Sequence, residues 1–315
     1  MRIAIYGGGG GVGSSTAFNL LLGADSDSEV IVVDSRPAMV ESHVLDLEQV
    51  LELGGSGVVR GGNTDDVWGA DVVVFTAAAP LTVNTSRLDY LAANAAIARD
   101  LVEILGSDGS WPGALVVVTN PVDPICTWIQ RSTGIDRTRV LGYTLNDSLR
   151  LRTGVAKALR IAPGSVDAWV LGEHGDACVP LFDRVLVAGQ PVELTDEQRA
   201  QAEEFFRTWY VRHVALDSGR SSTWTSGSGI ARMVRALATG SAEPWPASVV
   251  LDGEYGVTGV ALTVPVALGR REARVLEWPL TDEQRQALRR SAEVVRSATG
   301  QLDSAVVPQT RSSPT

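Results

Sequence analysis

The chain has 315 residues, and its 44 % hydrophobic and 20 % charged content excludes a wholly disordered or collagen-like protein. Acidic residues outnumber basic ones by 37 to 27, and the net charge of -10 disfavours a nucleic-acid partner. No apolar run reaches the length of about 18 residues that a membrane span needs. The two cysteines, Cys126 and Cys178, cannot form a disulfide framework, so we expect a cytoplasmic protein without a membrane partner.

The first half of the chain alternates short β-branched runs with stretches of helical spacing. Four continuous apolar runs are typical of strands that are buried on both faces, as in a parallel sheet. They are residues 3–6, 30–33, 72–75 and 115–118. Helical spacing occurs between them at 12–22 and 87–105. This alternation predicts an α/β domain over residues 1–145, with a Rossmann-type doubly wound parallel sheet.

The second half has a different pattern, in which helices and strands are mixed. Helices are predicted at 147–159, 196–215, 230–238 and 282–299. Strands are predicted at 168–171, 248–251, 260–266 and 273–276. We therefore expect a mixed α+β substrate domain over residues 146–315, with a disordered tail after Asp303.

Residues 7–13 form a glycine-rich loop with the letters GGGGGVG. A G-x-G-x-x-G pattern fits one register, with Gly8, Gly10 and Gly13. The loop follows a predicted strand and precedes a helix, where backbone N–H groups and the helix dipole can receive a pyrophosphate. A side chain at these positions would hold the backbone away from the phosphates. The loop predicts a dinucleotide-binding site.

Asp34 stands at the end of the second predicted strand, 21 residues after Gly13. A carboxylate there accepts hydrogen bonds from the adenosine ribose and repels a 2′-phosphate, which favours NAD over NADP. Arg36 lies two residues further on and would relax that preference. The alternative interpretation is that Asp34 is only a turn or cap residue.

Seven further motifs follow in chain order. They are TAAAP from Thr76, SRLD from Ser86, TNPVD from Thr119, LNDSLRLR from Leu145, GEHGD from Gly172, LDGEYG from Leu251 and VPVALGR from Val264. With the glycine loop, this series resembles the lactate/malate dehydrogenase family over nearly the whole chain. Asp147 and His174 are separated by 27 residues, as in that family.

The resemblance implies an NAD-dependent oxidoreductase that interconverts a 2-oxo acid and an L-2-hydroxy acid. It implies that His174 donates and accepts the proton at the C2 oxygen. Asp147 would orient the imidazole and favour its charged form, because a nearby carboxylate raises a histidine pKa. Arg150, one helical turn after Asp147, would bind the substrate carboxylate.

Further roles also come from the resemblance alone. Arg87 corresponds to a mobile-loop arginine that polarises the carbonyl and excludes water. Asn120 would contact both the substrate oxygen and the cofactor, and Thr76 would belong to the cofactor site. The resemblance implies a homodimer or homotetramer and no metal.

The expected substrate side chain depends on Leu81, six residues before Arg87. The family's malate enzymes have an arginine there, and its lactate enzymes have a glutamine. An apolar residue over a second carboxylate leaves an unpaired charge that costs about 3–5 kcal/mol. We therefore expect an uncharged substrate side chain, with Asn146 and Ser222 supplying polar contacts.

Three alternatives stay open at this point. The first is a malate dehydrogenase whose counter-ion for the second carboxylate comes from elsewhere. The second is an NAD-dependent glycosidase, and the third is a non-catalytic homologue that binds NAD. We assign purely structural roles to His43, His213 and Arg152, and we expect Cys178 to be a buried small hydrophobic residue.

Overall fold

A computed structural model describes residues 1–23, 27–79, 87–219 and 221–306. The strands within these ranges are β1 Arg2–Tyr6, β2 Glu29–Val33, β3 Val58–Gly61, β4 Val72–Phe75, β5 Ala114–Val117, β6 Val140–Tyr143, β7 Val166–Asp167, β8 Val170–Gly172, β9 Cys178–Pro180, β10 Leu186–Val187, β11 Gln190–Pro191, β12 Trp245–Asp252, β13 Thr258–Gly269 and β14 Glu272–Val275. The α-helices are α1 Gly11–Leu21, α2 Pro37–Glu52, α3 Thr64–Trp68, α4 Arg87–Leu105, α5 Val122–Thr133, α6 Leu145–Leu159, α7 Asp196–Ala215, α8 Thr223–Thr239 and α9 Asp282–Val306. None of the described helices is both long and apolar enough to cross a membrane.

The first half forms a parallel sheet in the order β3-β2-β1-β4-β5-β6. Its central strands are buried on both faces, and every residue of β4 has no exposed surface. The strand order reverses between β1 and β4, which opens a crevice at the carboxyl ends of these strands. This confirms the predicted Rossmann-type sheet.

The same sheet continues into the second half of the chain. Strand β12 pairs antiparallel with β6, where Ala247 is opposite Tyr143 and Ser248 is opposite Gly142. β13, β8 and β9 then extend the sheet, whereas β7, β10 and β11 form a separate three-stranded sheet. The predicted mixed second half is confirmed, and its strands share one continuous sheet with the first half.

Helix α8 begins at Thr223, seven residues before the predicted start, so the predicted boundary was wrong. The first two turns contain glycine and hydroxyl residues, which have low helix propensity. Their size is required by packing, because a Cβ on Gly227 would lie 2.1 Å from Ser15 Oγ. A Cβ on Gly229 would lie 2.0 Å from the Tyr143 hydroxyl. Close contact with α1 and β6 therefore overrides local propensity.

The C-terminal helix also differs from its prediction. Helix α9 continues through Val306, beyond Asp303, where we expected the disordered tail to start. Its buried residues Leu288, Ala292, Val295 and Leu302 follow helical spacing and pack into the core, which explains the extension. Residues 307–315 lie outside the described part of the chain.

Candidate active site

The glycine loop joins β1 to α1 at the crevice. Gly7 has a φ of +96°, and a Cβ there would lie 2.2 Å from the backbone nitrogen of Ala77. A Cβ on Gly13 would lie 2.5 Å from the Gly7 carbonyl oxygen. Two backbone segments therefore approach at distances that no side chain permits, and this closeness places the start of α1 at the carboxyl end of β1.

The same loop fits a dinucleotide. Gly10 caps α1 without a side-chain hydrogen bond to the first backbone N–H groups of this helix. A Cβ on Gly8 would contact Val32 Cγ1 at 2.7 Å, so the loop lies directly on the sheet. The predicted glycines thus leave a bare helix N-terminus, which is the arrangement that binds a pyrophosphate.

Asp34 follows β2 and faces this loop. Its Oδ2 accepts the Gly9 N–H at 3.0 Å, and its Oδ1 accepts the Arg36 Nε–H at 3.0 Å. Burial raises the pKa of Asp34, but the hydrogen bonds from Arg36 and Gly9 outweigh burial and lower it overall. The carboxylate is therefore ionised beside the predicted ribose position. His43 lies nearby, with its Nε2 3.3 Å from the Gly9 carbonyl oxygen.

The strand ends β4 and β5 contribute Thr76 and Asn120. Thr76 Oγ1 donates to the Gly7 carbonyl oxygen at 3.1 Å. The amide group of buried Asn94, on α4, donates to the Asn120 carbonyl oxygen and accepts the Ala79 N–H, both at 2.8 Å. Asn94 therefore connects the segments that follow the two strands. No sequence motif marks Asn94, and sequence reasoning missed it.

The charged cluster lies where α6 meets the segment that follows β8. Asp147 and Arg150 stand one helical turn apart, so their side chains lie on the same face. His174 Nδ1 donates to Asp147 Oδ2 at 2.5 Å, and Arg150 Nη1 donates to Asp147 Oδ1 at 3.0 Å. The structure thus brings these three predicted residues together around one carboxylate.

The charges in this cluster stabilise one another. Burial lowers the pKa of His174, but the charge and hydrogen bond of Asp147 outweigh burial and raise it above 6.5. Burial raises the pKa of Asp147, whereas His174 and Arg150 lower it overall. The pair therefore favours a charged imidazolium held by a carboxylate, and none of the described residues accepts the Nε2–H of the ring.

A second carboxylate, Asp123, holds the backbone of His174. Its Oδ2 accepts the His174 N–H at 2.6 Å, and its Oδ1 accepts the Ser248 hydroxyl at 2.5 Å. Burial raises the pKa of Asp123 to about 6, although both hydrogen bonds oppose this effect. Asp123 belongs to the TNPVD motif, but nothing in that motif indicates its contact with His174.

The polar residues expected near the substrate have partners within the protein. The Asn146 amide accepts from the Tyr143 hydroxyl at 3.0 Å and donates to Ser226 Oγ at 2.9 Å. Ser222 Oγ accepts from Arg150 Nη2 at 3.4 Å. Ser222 thus joins the charged cluster, whereas Tyr143 and Ser226 occupy both sides of the Asn146 amide.

Two predicted residues have no described side chain. Arg87 begins helix α4, and only its backbone is described. Leu81 lies outside the described residues. Among the residues given structural roles, Arg152 Nη2 pairs with Asp167 at 2.6 Å, and Cys178 is buried with a free thiol, as predicted.

Comparison with known proteins agrees with this arrangement. Residues 1–142 match the lactate/malate dehydrogenase NAD binding domain, and residues 144–304 match the alpha/beta C-terminal domain of the same enzymes. The chain is 33% identical over 298 residues to L-lactate dehydrogenase 1 of Staphylococcus aureus, covering 92% of this chain and 93% of that protein. The chain belongs to the lactate/malate dehydrogenase family.

Solved structures of the family resemble the whole chain. Malate dehydrogenase from Aeropyrum pernix is 28% identical with a TM-score of 0.86, covering 95% of this chain and 97% of that one. The minor L-lactate dehydrogenase of Enterococcus mundtii is 25% identical with a TM-score of 0.83, at the same coverage. The protein is thus an NAD-dependent 2-hydroxy acid dehydrogenase, and the similarity extends to both lactate and malate enzymes.

Proposed function

We propose that this enzyme interconverts a 2-oxo acid with an uncharged side chain and the corresponding L-2-hydroxy acid. The observation that carries the proposal is the contact of His174 and Arg150 with the two oxygens of Asp147. This contact places a proton donor and a carboxylate-binding guanidinium on the same anchor. A 2-oxo acid needs both, because its carbonyl and carboxylate are adjacent.

Each group of site residues has its own role in this reaction. Gly8, Gly10, Gly13, Asp34 and Thr76 would hold NADH, which would supply the hydride. Protonated His174 gives its Nε2 proton to the carbonyl oxygen and takes it back in the reverse direction. Arg150 binds the carboxylate through the N–H groups that Asp147 and Ser222 leave unused. Arg87 polarises the carbonyl and excludes water, and Asn120 hydrogen-bonds the substrate oxygen beside the cofactor.

The uncharged side chain of the substrate is inferred from Leu81. Closing leucine over a second carboxylate would cost about 3–5 kcal/mol, which is a roughly 10²- to 10³-fold handicap for oxaloacetate. Ser222 supplies a hydroxyl near Arg150, whereas the Asn146 amide is already bound by Tyr143 and Ser226. The division of the chain near residue 145, the homo-oligomer and the cytoplasmic location remain predictions.

The direct test is a comparison of kcat/KM for pyruvate, 2-oxoisocaproate and oxaloacetate, each with NADH and NADPH. We expect one of the uncharged 2-oxo acids to exceed oxaloacetate by at least tenfold, with NADH preferred. An advantage of tenfold or more for oxaloacetate would exclude the proposed side-chain class. A complete lack of NADH oxidation with every acid would exclude the proposed reaction.

The malate alternative is tested by Leu81→Arg, with Leu81→Met as the matched control. If no other cation faces the second carboxylate, the arginine variant gains at least tenfold in kcat/KM for oxaloacetate and the methionine variant does not. A wild-type enzyme that prefers oxaloacetate and gains nothing from the arginine would favour a malate dehydrogenase with a displaced counter-ion.

A further inference from the structure

The Arg150 guanidinium lies over an aromatic ring. Arg150 Cζ lies 4.2 Å from the ring centroid of Trp209, on helix α7. At its edge, Nη1 donates to Asp147 at 3.0 Å and Nη2 donates to Ser222 at 3.4 Å. The guanidinium is therefore held by two hydrogen bonds and by its contact with one ring.

Close packing of α6 and α7 brings Trp209 to this position. A Cβ on Gly154 would lie 2.7 Å from the Ala202 carbonyl oxygen, so glycine allows the two helices to approach closely. Phe205 and Trp209 stand one turn apart and face α6. Phe205 faces Lys157, whose Nζ lies 5.4 Å from its ring centroid. The same helix pair therefore makes two cation–ring contacts, of which one includes the predicted substrate arginine.

We propose that Trp209 is a positioning residue that sets the plane of the Arg150 guanidinium for the substrate carboxylate. The inference depends on the proposed function, in which Arg150 binds that carboxylate. Bidentate binding requires the guanidinium and the carboxylate to be coplanar. The indole prevents rotation out of this plane and removes water from one face. The arginine therefore loses less freedom when the 2-oxo acid binds.

The experiment compares Trp209→Leu, Trp209→Phe and the matched control Phe205→Leu with the wild type. The substrate is the 2-oxo acid that the wild type reduces best. Loss of the ring raises KM about tenfold in the leucine variant, with kcat changed less than about twofold. The phenylalanine variant retains a ring, and its KM rises only about threefold. Phe205→Leu removes the ring one helical turn away, which faces Lys157 and Arg212, and leaves KM within about twofold of the wild type.

Two readouts separate positioning from general packing. The ethyl ester of the same 2-oxo acid lacks the carboxylate, so its kcat/KM is equal in the wild type and Trp209→Leu. The dissociation constant for NADH, followed by fluorescence, stays unchanged. An equal KM for the acid in the wild type and Trp209→Leu, or equal losses for acid and ester, would overturn the inference.

Failure of the inference can be distinguished from failure of the proposed function. A wild type that reduces no 2-oxo acid rejects both, whereas an active wild type with an unaffected Trp209→Leu variant rejects the inference alone. If Trp209→Leu does not fold, Trp209→Met takes its place, since methionine fills more of the space and has no ring. The same tenfold rise in KM is expected, and an unchanged KM would again reject the inference.

Discussion

The coenzyme side of the site is held together by backbone atoms, whereas the substrate side is held together by charged side chains. Around Gly7 and Gly13, a single Cβ would lie within 2.5 Å of backbone atoms. Around Asp147, two cations donate to the two oxygens of one buried carboxylate. The first region requires glycine, because a side chain would overlap the backbone. The second region requires charged side chains. Substitutions should therefore impair folding and coenzyme binding in one region and catalysis in the other.

The largest effect is expected on the side-chain side. His174→Asn removes the proton donor and lowers kcat/KM for the 2-oxo acid by about 10²- to 10⁴-fold. Steady-state kinetics at neutral pH measure this loss. The dissociation constant for NADH should stay within about twofold of the wild type, because the glycine loop is untouched. A variant that keeps a tenth of wild-type activity would show that another group supplies the proton.

A smaller but structural effect is expected on the backbone side. Gly7→Ala combines a φ of +96° with an overlap at 2.2 Å, and lowers the free energy of unfolding by about 2–5 kcal/mol. Gly54→Ala is the matched control. Gly54 has a φ of +98°, but a Cβ there would meet no other described residue within 4 Å apart from its chain neighbours. This control should lose only about 1–2 kcal/mol. Denaturant unfolding measures both values, and equal losses would contradict the importance of the close approach.

The same difference explains which features could be predicted from the sequence. The glycine loop is contiguous, and its letters reflect a local steric requirement, so Gly8, Gly10 and Gly13 could be identified directly. The partnership of Asp147 and His174 required a family spacing, because 27 residues separate the two.

Contacts that depend on tertiary packing could not be predicted. Asn94 joins two loops from the interior of a helix, and Trp209 reaches Arg150 only because α6 and α7 pack closely. The start of α8 was missed for a related reason, since Gly227 and Gly229 are poor helix formers locally but are required by their neighbours.

The smallest expected effect concerns Asp123, which accepts the backbone N–H of His174. Ser248→Ala removes a donor to Asp123, and we expect it to lower the free energy of unfolding by about 1–3 kcal/mol at pH 8. Folding raises the pKa of Asp123 from 3.8 to about 6, so protonation of this carboxyl stabilises the folded protein. This contribution is fully present below pH 3.8 and is lost as the pH rises through 6. At pH 5 Asp123 is therefore protonated in the folded protein. Ser248→Ala should then lower the free energy of unfolding by less than it does at pH 8.

Ser291→Ala is the matched control for this experiment. Ser291 is as buried as Ser248, but its hydroxyl donates to the carbonyl oxygen of Ala177, which does not titrate. Ser291→Ala should therefore lower the free energy of unfolding by the same amount at pH 5 and pH 8. A loss for Ser248→Ala that is equally independent of pH would show that Asp123 does not titrate in this range.

The central claim is that Asp147 raises the pKa of the His174 imidazole, and NMR titration of ¹⁵N-histidine tests it most directly. The chain has three histidines, and the spectrum of His174→Asn assigns the resonance. In the wild type we predict a pKa for His174 above 6.5, because Asp147 outweighs burial. In Asp147→Asn that pKa should fall, since burial and Arg150 both lower it. A His174 pKa at or below 6.5 in the wild type, or one unchanged in Asp147→Asn, would contradict the account.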